Sequence, residues 1–228
     1  MNAVIENFDL VVRAFTYTVL LFLIAGVLSL VFGTFLAAMR VGPVAVLSKA
    51  AAVYVTLVRN TPLLVVLIFV RIAGPKVGLN FNFVDIVIGE IRINNLFAAC
   101  VFGLTVYTSA FVCEAIRAGI NAVPLGQAEA ARAIGLPFGG TMREVVLPQA
   151  FRATIPPLAS VQIALLKNTT LAGAFGVAEA FYRMKILTNN APGEKIGIFL
   201  TFALVFVVLV EIVSFAANRF ERRARVAT

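Results

Sequence analysis

Apolar residues gather into five long runs, separated by stretches where Gly, Pro, Asn and charged residues concentrate. Helices of about 20 apolar residues are long enough to cross a bilayer. The pattern therefore predicts spans over about Ala14 to Met39, Ala50 to Ile72, Leu96 to Ala118, Ile155 to Phe175 and Ile196 to Ala217. Residues 1–12 are mildly polar, with Glu6 and Asp9. Gly26, Ser29, Gly33 and Thr34 are small residues that mark a packed face on the first span. Arg40 ends that span, and Gly42-Pro43 turns the chain.

The second span is interrupted by Arg59-Asn60-Thr61-Pro62. Pro62 lacks an N–H and is expected to kink or break the helix there. From Ala73 to Asn95 the composition predicts an exposed loop, with a short strand-like or interfacial piece around Phe83 to Ile88. Pro156-Pro157 suits the first turn of the fourth span, and Lys167-Asn168-Thr169-Thr170 falls in its second half. Residues 176–195 read as another exposed loop. The echo between RNTPL at 59–63 and KNTTL at 167–171 is too short to establish an inverted repeat.

Between the third and fourth spans lies the least membrane-like segment of its length, Gln127 to Pro148. Glu129, Ala130, Ala131, Arg132 and Ala133 are good helix formers, and Gly135 sits where a left-handed cap costs little. A second short helix is expected over Phe138 to Leu147, stopping at Pro148. Small Ala side chains on the first helix let another protein approach its backbone. This soluble knuckle between hydrophobic spans has the character of a docking surface.

Composition narrows the class. The chain has 228 residues, 61% hydrophobic and 13% charged, with a mean hydropathy of +0.99, too apolar for a soluble domain of this length. It reads as one membrane domain over residues 1–228, with a core of about 14–218. The net charge of +8 is explained by positive residues in cytoplasmic loops and the tail rather than by nucleic acid. Placing the knuckle and tail in the cytoplasm puts Arg40, Lys49, Arg59, Arg117, Arg132, Arg143, Arg152, Arg219, Arg222, Arg223 and Arg225 inside, and the remaining Lys and Arg outside. Five spans then set the N-terminus outside and the C-terminus inside. The N-terminus carries no basic n-region, so a cleaved signal peptide is not expected. Cys100 and Cys113 form no CxxC pair and read as small buried hydrophobes. The absence of His removes the commonest metal ligand and general base. No GxxxxGK[ST] loop, HExxH or Ser/His/Asp set is present. No catalytic, cofactor-binding or metal residue is expected, and a membrane enzyme lacks a nucleophile–base pair.

A spaced pattern in the knuckle carries a resemblance. Glu129-Ala130-Ala131, Gly135, Val145 and Leu147-Pro148 are similar to the EAA loop of ABC importer permease subunits, whose usual form has Ile where this chain has Val145. Arg59-Asn60-Thr61-Pro62-Leu63, Cys113-Glu114 with Arg117 and Gly119, and Lys167-Asn168-Thr169-Thr170-Leu171 extend the likeness over nearly the whole chain. It looks most like the polar-amino-acid branch, and within it the glutamate permeases of actinobacteria. The resemblance implies an all-α polytopic protein of the type I ABC importer permease fold, with about five transmembrane helices and a cytoplasmic coupling helix at 127–148, in a bacterial inner membrane. It implies two ATPase subunits that bind ATP and Mg, a second permease (a copy of itself or a paralogue, the glutamate-type likeness leaning to a paralogue), and an external solute-binding protein. Glu129, Ala130, Ala131, Gly135, Leu147 and Pro148 would form the ATPase-coupling element, and the subunit itself would not be an enzyme. Arginine, glutamine and cystine carriers share the scaffold. The competing reading is a self-contained secondary transporter or channel, which would need coupling-ion residues and usually an internal duplication.

Polar groups inside spans are costly and so face a cavity, a partner helix or substrate. Arg59, Asn60, Thr61, Gln162, Lys167, Asn168 and Thr169 are the pathway candidates. At about 100° per residue, Gln162 and Thr169 share one helix face, whereas Ser160 and Lys167 share nearly the opposite one. One set is expected to meet the pathway and the other a neighbouring subunit. Glu114 and Arg117, three apart, are expected to brace the joint between the third span and the knuckle. Arg59 either snorkels to the cytoplasmic surface or lies beside a helix break open to the pathway. Glu211 is expected to find a hydroxyl or basic partner in a neighbouring helix.

Overall fold

A computed structural model describes residues 2–226, with side chains through Arg222. The chain begins with α1 (Asn2–Glu6) and α2 (Phe8–Val41), then α3 (Ala45–Arg59) and α4 (Leu63–Ile68). A two-stranded hairpin, β1 (Ile86–Ile88) and β2 (Ile91–Ile93), precedes α5 (Asn95–Asn121). The knuckle holds α6 (Leu125–Ala133) and a single turn, α7 (Phe138–Gly140). Helices α8 (Leu147–Asn168), α9 (Ala180–Asn190) and α10 (Lys195–Val226) complete the chain.

Three helical stretches among the described residues are long and apolar enough to cross a membrane: Phe8–Val41, Asn95–Asn121 and Pro192–Arg222. The broken pair Ala45–Arg59 and Leu63–Val77 qualifies as one further span, bent by 102°. Pro62 stands at that break. Asn60 N–H reaches Thr56 O at 3.2 Å, and the Thr61 hydroxyl donates to Leu57 O at 2.8 Å, closing α3 before the chain turns. The fourth expected span is not among the apolar ones. Gln149, Arg152, Ser160, Gln162, Lys167 and Asn168 dilute the hydropathy of α8, which packs instead between α5 and α10.

The boundaries of this fourth element also differ from expectation. The second knuckle helix does not stop at Pro148. After α7, residues Thr141–Val146 continue as a π-helical segment that runs directly into α8. Pro148 occupies the first turn of α8, at its junction with the π-helical segment. Pro156 and Pro157 lie inside α8 rather than at a span's start. The helix ends at Asn168, and Thr169–Phe175 tighten into a 3-10 segment.

The segment 176–195 is not simply an exposed loop, because it contains α9. Glu179, fully buried, caps this helix by accepting from the N–H groups of Phe181 and Tyr182, both at 2.8 Å. Its carboxylate fills the space beside Gly173, where an added Cβ would lie 2.2 Å from Glu179 Oε1. Residues 2–6 are likewise helical rather than merely polar.

The core sits where α2, α5 and α8 cross. Gly26, Ser29 and Gly33 are buried as their spacing predicted, whereas Thr34 is exposed. At Gly33 the helices approach so closely that a Cβ would meet Val112 at 2.5 Å. Leu21, Ala25, Leu104 and Leu165 centre one buried cluster; Leu36, Ala37, Ala51 and Val55 with Ala110 and Cys113 form another. Both cysteines are buried and free. Tyr54 ties α3 to α5, donating to Val106 O at 2.8 Å.

Candidate coupling knuckle and translocation groove

Helix α6 follows Pro124 and is closed by Gly135, whose φ of 89° occupies the left-handed region. Gly135 N–H bonds Arg132 O at 2.9 Å and Leu136 N–H bonds Ala131 O at 3.1 Å. This pair of bonds is a Schellman closure, which glycine adopts without Cβ strain. Ala131 is buried against the protein, whereas Glu129 and Ala130 are exposed on the other side. The knuckle also leaves Leu125 and Ile134 about four-fifths exposed, and Phe138 more than half exposed. A helix with small and apolar residues outward and a rigid end has the features of a docking element.

The knuckle is fixed to both flanking helices. Gln149 on α8 donates to Gln127 on α6 and to Val145 O at 2.8 Å. Val123, Val146 and Ala150 form a small buried cluster beneath it. Leu147 and Pro148 begin α8. They line an apolar groove of about 710 Å³ together with Ile116, Ile120, Phe151 and Leu158.

Above the knuckle, Glu114 is the meeting point of three helices. Arg117 of α5 donates to Glu114 Oε2 at 3.0 and 3.2 Å. Arg40, from the end of α2, is in contact with Glu114 Oε1. Arg59, from the end of α3, lies 3.8 Å from the same oxygen, with its guanidinium 5.6 Å from the centre of the Phe111 ring. The Glu114–Arg117 pair follows from their spacing. Arg40 is added from 74 positions away, which a local pattern does not reveal.

Between α5 and α8 lies a small groove of about 130 Å³ lined by Tyr107, Thr108, Phe111, Val161, Leu165 and Asn168. The Thr108 hydroxyl is buried there without a hydrogen-bond partner. Asn168 is the one pathway candidate that lines this groove, while Arg59 reaches its edge through Phe111. Thr169 is fully buried and donates to Leu166 O at 2.7 Å. Gln162 presses its amide against Gly26, where a Cβ would meet Oε1 at 3.0 Å, and its Nε2 is buried without a partner. Lys167, Ser160 and Asn60 are exposed. The two faces of α8 are thus divided as the periodicity indicates, one inward and one outward. Glu211 is exposed, not enclosed among neighbouring helices. Of the basic tail, Arg219 and Arg222 are described, whereas the side chains of Arg223 and Arg225 lie outside the described residues.

Comparison with known proteins gives a consistent result. Residues 11–226 match the family described as binding-protein-dependent transport system inner membrane component. The chain is similar to the glutamate transport system permease protein GluC of Corynebacterium glutamicum, at 41% identity over 86% of each chain. It is 35% identical to a probable glutamine ABC transporter permease protein of Bacillus subtilis, covering 92% of this chain and 91% of that one. Among solved structures, an amino acid ABC transporter matches with a TM-score of 0.83 and 28% identity over 96% of both chains. The MetNI methionine ABC transporter, in an inward-facing conformation, matches at 0.71 and 20% identity over 96% of this chain and 98% of that one, which shows the shared fold.

Proposed function

The chain belongs to the family of binding-protein-dependent transport system inner-membrane components, and from that premise we propose that it is the permease subunit of an ATP-driven importer for a polar amino acid, glutamate. The type I permease fold and the apolar helices make it a multi-pass membrane protein. The observation that carries the coupling assignment is the rigidly capped α6, exposing Glu129 and Ala130 while Ala131 anchors it inward. In this reading α6 seats in an ATPase subunit, and nucleotide-driven closure of two such subunits tilts α5 and α8 through the knuckle. ATP and Mg bind on those partners, and this subunit makes and breaks no bonds. An external binding protein delivers substrate to a pathway between this chain and a second, paralogous permease. The N-terminus lies outside and the knuckle and C-terminal tail lie in the cytoplasm.

Glutamate as substrate is supported by the 41% identity to a glutamate permease and by a cation at the edge of the α5–α8 groove, where Arg59 stacks on Phe111. Within the groove, Asn168 and the unpartnered Thr108 hydroxyl offer neutral polar atoms to a solute. The deciding experiment reconstitutes this chain with its companion permease, ATPases and binding protein, and measures ATP-dependent uptake against a panel of labelled amino acids. Glutamate should compete best. Uptake by this chain alone under an ion gradient would replace the reading with a secondary transporter.

A further inference from the structure

The hairpin β1–β2 is turned by Gly89-Glu90, with Gly89 at φ 59°, as the first central position of a II′ turn requires. Residues 83–93 carry three charged side chains, and each is closed within the protein. Arg92 makes a two-pronged contact with Asp85, with both bonds at 2.8 Å. Glu90 pairs with Arg13 of α2 at 2.5 Å. The apolar residues are treated oppositely. Phe83 is 82% exposed, and Ile86, Val87 and Ile88 are 52%, 65% and 64% exposed. Because successive strand residues point to opposite faces, β1 is apolar on both sides. In water such an edge strand is an aggregation hazard.

Helix geometry fixes its level. A hydrocarbon core of about 30 Å spans about 20 residues of an upright helix at about 1.5 Å each. Measured from Arg40 at the knuckle end of α2, the far boundary falls near Leu20. Measured from Arg117 on α5, it falls near Phe97. The two estimates agree, since the Phe97 ring lies 6.2 Å from that of Tyr17, one turn beyond Leu20. The Tyr17 hydroxyl holds β2 at this level, accepting from Arg92 N–H at 2.8 Å and donating to Arg92 O at 3.1 Å. Below it, Phe81 packs on Phe102 of α5 at 5.6 Å. There it borders an apolar groove of about 280 Å³ that includes Ile24, Leu28 and Val101. The base of the hairpin, at Phe81 and at Ile93 of β2, is therefore continuous with apolar helix surface.

We propose that this hairpin is a lipid-interface anchor, with Phe83, Ile86, Val87 and Ile88 entering the headgroup–acyl boundary of the leaflet opposite the knuckle. Pairing within the protein lowers the cost of bringing these charges to that boundary. The open backbone edge of β1 keeps it among the headgroups, because unpaired N–H and C=O groups are costly in hydrocarbon.

The test places a nitroxide at Phe83→Cys or Val87→Cys in the complete transporter, in vesicles of phosphatidylethanolamine and phosphatidylglycerol. Cys100 and Cys113 are buried and do not compete for label. Both sites should collide more with dissolved oxygen than with the water-soluble nickel chelate, with or without binding protein. Preferential collision with the chelate would overturn the anchor. Protection from both that appears only when binding protein is added would reassign the surface to that protein. Protection from both without it would reassign the surface to a subunit contact.

Discussion

Gly119 on α5 and Thr154 on α8 interlock: a Cβ on Gly119 would lie 1.9 Å from the Thr154 hydroxyl and 2.9 Å from Ala150 O. Two helices flanking the knuckle thus touch with no side chain from α5 between them. Gly119→Ala should cost about 1–3 kcal/mol by overpacking. The change reads as a lowered melting temperature of the purified assembly. Adding Thr154→Ala should restore only part of the loss, since the backbone contact remains. A fully stable Gly119→Ala would show that the crossing is looser than described.

The three arginines around Glu114 hold the ends of α2 and α3 to α5. Glu114→Gln leaves the guanidinium groups of Arg40 and Arg117 without their carboxylate, and breaking such a partly buried pair should cost about 3 kcal/mol. Loss of assembled transporter on heating should exceed that of Arg59→Gln, because Arg59 stands farther from the carboxylate. Equal losses would contradict this ranking.

Glu129→Lys reverses an exposed charge on α6 without disturbing the buried Ala131. It should abolish transport and weaken co-purification with the ATPase, while the permease retains its melting temperature. Ile134→Ser, at the other end of the same exposed surface, should weaken co-purification by about tenfold, the loss of one anchor residue. Normal association and uptake in both variants would remove α6 from the interface.

Asn168 lines the α5–α8 groove and Lys167 does not. Asn168→Ala should lower glutamate uptake about tenfold, the order expected for one hydrogen bond to a charged group. Lys167→Ala should impair uptake less than this, and should impair it more than it impairs assembly. If Lys167→Ala is the more damaging, the pathway runs along the outward face of α8.

Arg92, hydrogen-bonded to Asp85, holds that carboxyl below its ordinary range. A depressed carboxylate adds stability above its unfolded value of about 3.9 and loses it as pH falls through the folded value. Hairpin order, read as nitroxide mobility at position 87, should stay constant down to about pH 5 and loosen only in stronger acid. Loosening between pH 8 and 6 would contradict the pairing.

Local signals were legible where one residue type decides the geometry. Gly135 marked the left-handed cap, Pro62 marked the break, and the spacing of Glu114 and Arg117 marked their pair. Other features depend on residues far apart in the chain. Pro156 and Pro157 read as a helix start, yet the chain enters them already helical from Leu147, and packing between α5 and α10 carries the helix through. Glu179 reads as a loop carboxylate because its burial depends on Gly173 and the neighbouring helices. Arg40 was assigned to a span's end, while its partner lies on another helix. Asn168 was legible as a candidate, but Tyr107, Thr108 and Phe111 become neighbours of it only when α5 and α8 are set side by side.

Glu114 has one more consequence. Because a single carboxylate gathers guanidinium groups from α2, α3 and α5, those rods share a common pivot, like the legs of a tripod. A push delivered to one foot cannot swing that leg alone; the hub carries the other two with it or must first let one go.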